Sequence, residues 1–186
     1  MNGPVKDSPV NDGPMNPLSI RHAVAADVDG LSAIESAGFP PAEAASPDRI
    51  RERVALYGGH FWLLFDVSGR ILAFINGMAT DRPDLTDDMY EDASMHDLHG
   101  AWQMIFGVVT APAFRHHGYA SLLMRRVIDD TRMAGRRGLV LTCKDRLVGF
   151  YERFGYEDEG VSASTHGDVV WHQMRLSFPS AHREEA

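Results

Sequence analysis

Cysteine is nearly missing from this chain of 186 residues: Cys143 stands alone, so no internal disulfide and no thiolate metal cluster can form. Long apolar runs are missing as well, and no stretch approaches the length of a membrane span. Positive charge is in deficit. Eighteen Lys and Arg stand against 26 Asp and Glu, a net charge of −8. Such a field argues against broad nucleic-acid binding and slightly favours cationic small molecules. The first 17 residues lack the basic start and apolar core of a signal peptide. Rich in Pro, Gly, Asn and Asp, they read as a disordered tail. Residues 179–186 read as a frayed end, and residues 18–178 as one domain. The cytoplasm is the expected location, with neither membrane nor nucleic acid as partner.

What is present is ordinary for a soluble domain, 44% hydrophobic and 24% charged. Residues 18–24 read as a strand. Asp27 is placed to cap a helix carrying Val28, Leu31, Ile34 and Ala37 at helical spacing, ended by Gly38. A second helix is expected over 48–56. Strands over 60–66 and 71–78 flank a hairpin turn at Val67-Ser68-Gly69-Arg70. The polar segment 81–100 is long for a loop, a length that points to a functional lid or local disorder, with a helical turn near 87–91. Residues 102–110 form a strongly apolar strand, in which Gly107 signals a bulge or a close approach. A helix over 116–134, a strand over 139–143, a short helix over 147–153 and a final strand over 169–176 complete a mixed α/β domain.

The most informative stretch is Arg115-His116-His117-Gly118-Tyr119-Ala120, between that apolar strand and the amphipathic helix that follows. A tight turn there can aim several backbone N–H groups at one point in front of a helix. Unpaired donors and the positive end of the helix dipole would hold an anion such as a phosphate. The plain alternative is an ordinary strand-to-helix turn.

The element order, this turn, Val108-Val109-Thr110, and the run from Cys143 through Phe150-Tyr151-Glu152-Arg153-Phe154-Gly155-Tyr156 together resemble the GNAT superfamily of acetyl-CoA-dependent N-acetyltransferases. The last run is similar to the arylalkylamine (serotonin) branch. The resemblance implies a mostly antiparallel central sheet, flanked by helices, whose fourth and fifth strands splay apart to admit the pantetheine arm of acetyl-CoA. Val108, Val109 and Thr110 would pair with that arm. Arg115, His116, His117, Gly118, Tyr119, Ala120 and Ser121 would form the pyrophosphate turn, with His116 through Ser121 wrapping the group. Tyr151 would stand beside the thioester sulfur as the acid that protonates the leaving thiolate, and the Val108 N–H would steady the oxyanion. No metal is called for. A homodimer is implied by resemblance only.

One departure matters. Where the arylalkylamine enzymes carry two histidines on the fourth strand, this chain has Met104 and Phe106, which cannot take a proton; Lys144 replaces an acidic residue. Specificity for arylalkylamines therefore does not transfer, and amine deprotonation falls to another residue, a water chain or a substrate that arrives neutral. Any of His96, Asp97 and His99, in the loop before the fourth strand, could serve as base or be a solvated loop residue, and Glu35 on the first helix could contribute to an amine pocket. Phe39, Trp62, Trp102 and Phe106 are candidates for an apolar acceptor pocket or for the core. Cys143, on a buried strand, reads as packing rather than as a nucleophile. Arg136 and Arg137 would either reach the adenosine phosphate or complement a helix C-terminus.

The expected activity is acetyl transfer from acetyl-CoA to the primary amine of a small molecule. A polyamine, an aminoglycoside-like amine, an arylalkylamine, an amino acid and a protein N-terminus all remain open as acceptors, as does a longer acyl donor. The rival reading is a non-catalytic acyl-CoA sensor or interaction module that keeps the cofactor site and has lost the base.

Overall fold

A computed structural model describes residues 18–179, so the readings for residues 1–17 and 180–186 lie outside the described residues. Seven strands form one sheet in the order β1-β2-β3-β4-β5-β7-β6. They are β1 (Ser19–His22), β2 (Phe61–Phe65), β3 (Ile71–Thr80), β4 (Trp102–Thr110), β5 (Gly138–Cys143), β6 (Glu157–Val161) and β7 (His172–Ser177). All neighbouring strands are antiparallel except β4 and β5. The helices are α1 (Val28–Gly38), α2 (Pro47–Tyr57), the single turn α3 (Asp88–Glu91), α4 (Tyr119–Met133) and the short α5 (Val148–Glu152).

The two faces of the sheet carry separate cores, and the period-2 alternation of β2 divides them. Phe61, Leu63 and Phe65 pack with Leu31, Ile50 and Val54 of α1 and α2. Trp62 and Leu64 face the other way, onto Leu123, Met124 and Val127 of α4. That is why β2 reads as a continuous apolar run. It is buried on both faces.

Local chemistry sets several boundaries. Ser46 caps α2, its hydroxyl accepting from Arg49 N–H at 3.2 Å with Pro47 in the first helical position. In the β2–β3 hairpin the Asp66 carboxylate accepts the N–H groups of Ser68 and Arg70, while Gly69 takes φ 79°. Asp27 does not cap α1 in the expected forward sense. Its carboxylate turns back to accept Val24 N–H at 2.8 Å and the Arg21 guanidinium at 2.7 and 2.8 Å. The final strand starts at His172, not 169, because residues 166–168 form a separate 3-10 turn.

The register of β3 against β4 carries the feature that shapes the site. Asn76 pairs with Gly107 and Gly77 with Ile105, leaving Phe106 as one extra residue on β4. This bulge reverses the alternation. Met104 and Phe106 face the α1/α2 core, whereas beyond the bulge Val108 faces the α4 core and Val109 the α1/α2 core. Gly77 makes the bulge possible, since a Cβ there would lie 1.7 Å from the Met104 carbonyl oxygen. Gly77→Ala is expected to cost about 1–3 kcal/mol or more, measured as a lowered urea midpoint. Gly59→Ala, where a Cβ meets nothing within 4 Å, should leave the midpoint almost unchanged.

Candidate active site

Four residue pairs, from Trp102–Gly138 to Ile105–Leu141, join β4 to β5. β4 then continues to Thr110 without its neighbour, while Thr142 and Cys143 stay paired with β7. The two strands diverge from Phe106 onward. Ala111 N–H donates to the Leu72 carbonyl at 2.9 Å, and antiparallel alternation carries that pattern back along the strand. The N–H of Val109 is thereby turned toward Phe74 of β3. Those of Val108 and Thr110 are turned away from β3, into the gap. Thus Val108, Val109 and Thr110 all line the divergence, but their backbone donors split between its two sides.

At the far end of the gap lies the turn before α4. His116 has φ 66° and Gly118 φ 77°, two left-handed residues that curl the backbone around a concave surface. The Gly118 carbonyl accepts from Leu122 N–H, so the N–H groups of Tyr119, Ala120 and Ser121 have no acceptor within the helix. No acidic residue occupies the first turn of α4, which leaves the positive end of its dipole uncompensated. The His117 Nδ1 lies 2.8 Å from the Arg115 carbonyl oxygen, so this side chain braces the turn from within. Arg115, His116, His117 and Gly118 are exposed; Tyr119, Ala120 and Ser121 are half-buried.

A cavity of about 340 Å³ opens where the strands part. On one side it is bounded by Ile105, Phe106, Gly107 and Val108 of β4, on the other by Leu141, Thr142 and Cys143 of β5, and Tyr151 of α5 closes it. Tyr151 is 6% exposed, and burial, reinforced by Cys143, pushes its phenol well above the ordinary tyrosine value. Burial, with Asp158 and Asp145 adding to it, pushes the Cys143 thiol up to about 12. Tyr151 therefore keeps its proton at neutral pH, and Cys143 is a thiol rather than a thiolate.

The same cavity runs on between α1, α2 and two loops. Glu35 of α1 is 5% exposed; its Oε1 accepts Ala45 N–H at 3.0 Å, and Oε2 is buried without a partner. Burial raises its carboxyl above the ordinary glutamate range, opposed by the Ala45 N–H, Arg53 and His166. Arg53 of α2 donates to the Tyr90 carbonyl at 2.8 Å and lies 4.9 Å over the Phe106 ring. Tyr90 comes from the long 81–100 segment, and its ring stacks on His166 from the β6–β7 loop at 4.7 Å. Asp87 fastens these two loops together, accepting from Ser164 Oγ at 2.5 Å and Thr165 N–H at 2.9 Å. Trp171 and Glu43, the latter paired with Lys144 at 2.7 Å, complete the wall.

None of the base candidates His96, Asp97 and His99 lines this cavity, whereas Glu35, the candidate for an amine pocket, does. His96 accepts Ala79 N–H and packs 4.7 Å from His60, on a different part of the molecule; Asp97 and His99 are also outside the lining. Phe39 and Phe106 belong to it. Trp62 and Trp102 are core residues, Trp62 bonded to Asp130 at 2.8 Å and Trp102 packed beneath Arg175. Arg136 and Arg137 follow the C-terminal end of α4, about 20 Å along the helix from the turn at its start. There Arg136 holds the Leu98 and Gly100 carbonyls. Arg53, Tyr90, His166 and Trp171 escaped sequence reasoning because each sits in a segment with no motif of its own.

The profile of the Acetyltransferase (GNAT) family matches residues 28–156. Serotonin N-acetyltransferase of Mesocricetus auratus is 33% identical over 112 residues, 59% of this chain and 52% of that protein. The chain thus spans about half the length of that relative. Among solved structures, GphF, a GNAT-like decarboxylase in complex with isobutyryl-CoA, superposes with TM-score 0.74 at 23% identity, covering 86% of this chain and 98% of GphF. A GNAT family acetyltransferase from Brucella melitensis in complex with acetyl-CoA superposes with TM-score 0.57 at 19% identity, covering 88% and 90%. At those identities the superpositions speak for the fold. The family match, extending from the start of α1 through the FYERFGY run, covers more than half of the residues, and by it this chain belongs to the acetyltransferase (GNAT) family.

Proposed function

We propose that this protein is an N-acetyltransferase that moves an acetyl group directly from acetyl-CoA to the primary amine of a small molecule. The observation that carries this reading is the single cavity joining the β4–β5 gap, closed by Tyr151, to the buried carboxylate of Glu35. The acyl-CoA complexes among its structural neighbours support a cofactor in that gap. The Thr110 N–H would take a pantetheine amide carbonyl, the Val108 N–H stays free for the reacting carbonyl, and the turn from Arg115 to Ser121 would take the pyrophosphate.

Each residue then has a bounded task. Glu35, ionised, receives the proton of the ammonium group and leaves a neutral amine. The amine nitrogen forms its bond to the thioester carbonyl carbon while Val108 N–H steadies the oxyanion, an interaction of about 3 kcal/mol for such a donor. As the carbon–sulfur bond breaks, Tyr151 gives its proton to the departing thiolate, and the second proton, shed by the nitrogen as the amide forms, restores the phenol, so that the one proton held on Glu35 leaves with the products. Glu35 thus supplies the proton-accepting group that Met104 and Phe106 cannot. A retained base in the cavity also weighs against the sensor reading.

The primary test is release of free thiol from acetyl-CoA across an amine panel; cofactor binding without amine-dependent release would favour the sensor. Tyr151→Phe should lower kcat about a hundredfold or more under chemistry-limited conditions. Because burial raises the Glu35 carboxyl and the ionised form is the active one, kcat/KM should climb with pH through a midpoint above the ordinary glutamate value. Glu35→Gln should lower kcat/KM about a hundredfold or more and erase that limb. Cys143→Ala should keep most turnover, with intersecting rather than parallel initial-rate lines, as direct transfer requires.

A further inference from the structure

Glu35 is not the only buried charge in the acceptor end of the cavity. Arg53 is 4% exposed, yet no carboxylate pairs with it among the described residues. Its neighbour Arg49 is paired twice, with Glu52 at 2.7 Å and Glu91 at 3.0 Å. Arg53 instead donates one bond to the Tyr90 carbonyl, and its Nε is buried without a partner. Glu35 is in the matching condition, with Oε2 unpartnered. These two opposite charges line one cavity without bonding to each other, Glu35 being held by Ala45 N–H and Arg53 by Tyr90.

Leaving a buried guanidinium and a buried carboxylate both incompletely bonded is costly, and direct pairing would be the cheap remedy. A ligand carrying both complementary charges would meet the unmet bonding of each. A diamine would satisfy Glu35 and be repelled by Arg53. A plain monoamine would satisfy Glu35 and leave Arg53 as it is.

Resting on the transferase reading above, we infer that the acceptor is a zwitterionic amine of the amino-acid class, its ammonium group set on Glu35 and its carboxylate on Arg53. The guanidinium is suited to this, because its planar array of donors matches a carboxylate. Its seat over the Phe106 ring and its bond to Tyr90 hold it in one orientation. Arg53 is then a specificity-determining residue for the acceptor, acting at a group remote from the reacting nitrogen.

The test compares matched pairs on wild-type protein: L-phenylalanine with phenethylamine, and L-methionine with 3-(methylthio)propylamine, plus the two amino-acid amides, in the thiol-release assay. The carboxylated member should show kcat/KM at least about tenfold above both its decarboxylated and amide counterparts, the scale of one charge-assisted hydrogen bond. Arg53→Gln should collapse this preference chiefly through KM, and Arg53→Lys should retain part of it. Equal or better turnover of the plain amines or the amides would overturn the inference and leave the transferase standing, as would an Arg53→Gln protein with its preference intact. Acetyl-CoA binding with no thiol release from any member would overturn the inference, and the same silence across the whole amine panel would overturn the transferase reading as well. Should Arg53→Gln fail to fold, the wild-type comparison decides alone.

Discussion

The loss of pairing between β4 and β5 beyond Ile105 and Leu141 is the constraint on which the site depends. Parallel strands that stayed in register would satisfy their own backbone donors and leave nothing for a ligand. Two features keep them apart. The Phe106 bulge bends β4 and reverses its alternation, and the full pairing of β5 with β7 holds Thr142 and Cys143 on the far side. Backbone donors of Val108 and Thr110 are freed by a topological decision, without any polar side chain being needed there.

Around this opening the protein tolerates groups that a plain core would not. Glu35 and Arg53 are buried with bonding capacity unspent, and the Tyr151 phenol is deeply buried. Such groups oppose folding individually, and they persist because the two cores on either face of the sheet hold the helices that carry them. α1 and α2 are fixed by Leu31, Ile50 and Val54, and α4 by Leu123, Met124 and Val127. Asp87 does the same for the mobile-looking part of the sequence, bonding the 81–100 segment to the β6–β7 loop so that Tyr90 and His166 meet.

How legible the molecule was depends on the range of the interactions involved. The helix over 116–134, the hairpin at Val67-Ser68-Gly69-Arg70 and the turn at Gly118 follow from local rules of period, turn residues and positive φ, and they stand close to where those rules put them. The bulge was half legible: Gly107 marked the place, but the extra residue is Phe106, and Gly77 on the partner strand makes room for it. Asp27 misled because its carboxylate has two competing partners behind it, Val24 N–H and Arg21, which a forward reading of the helix start does not weigh.

The sequence alone determined the fold class, the turn before α4, the strand carrying Val108 and the run carrying Tyr151, since periodicity and short motifs are properties of neighbouring residues. It did not separate Glu35, His96, Asp97 and His99, four polar residues with no distinguishing pattern. Only the tertiary structure separated them. It buried Glu35 beside Arg53, Tyr90 and His166, drawn from α2, the single turn α3 and the β6–β7 loop, and carried His96 to a different part of the molecule. Burial and electrostatic neighbourhood arise from residues far apart in the chain, and no local pattern encodes them.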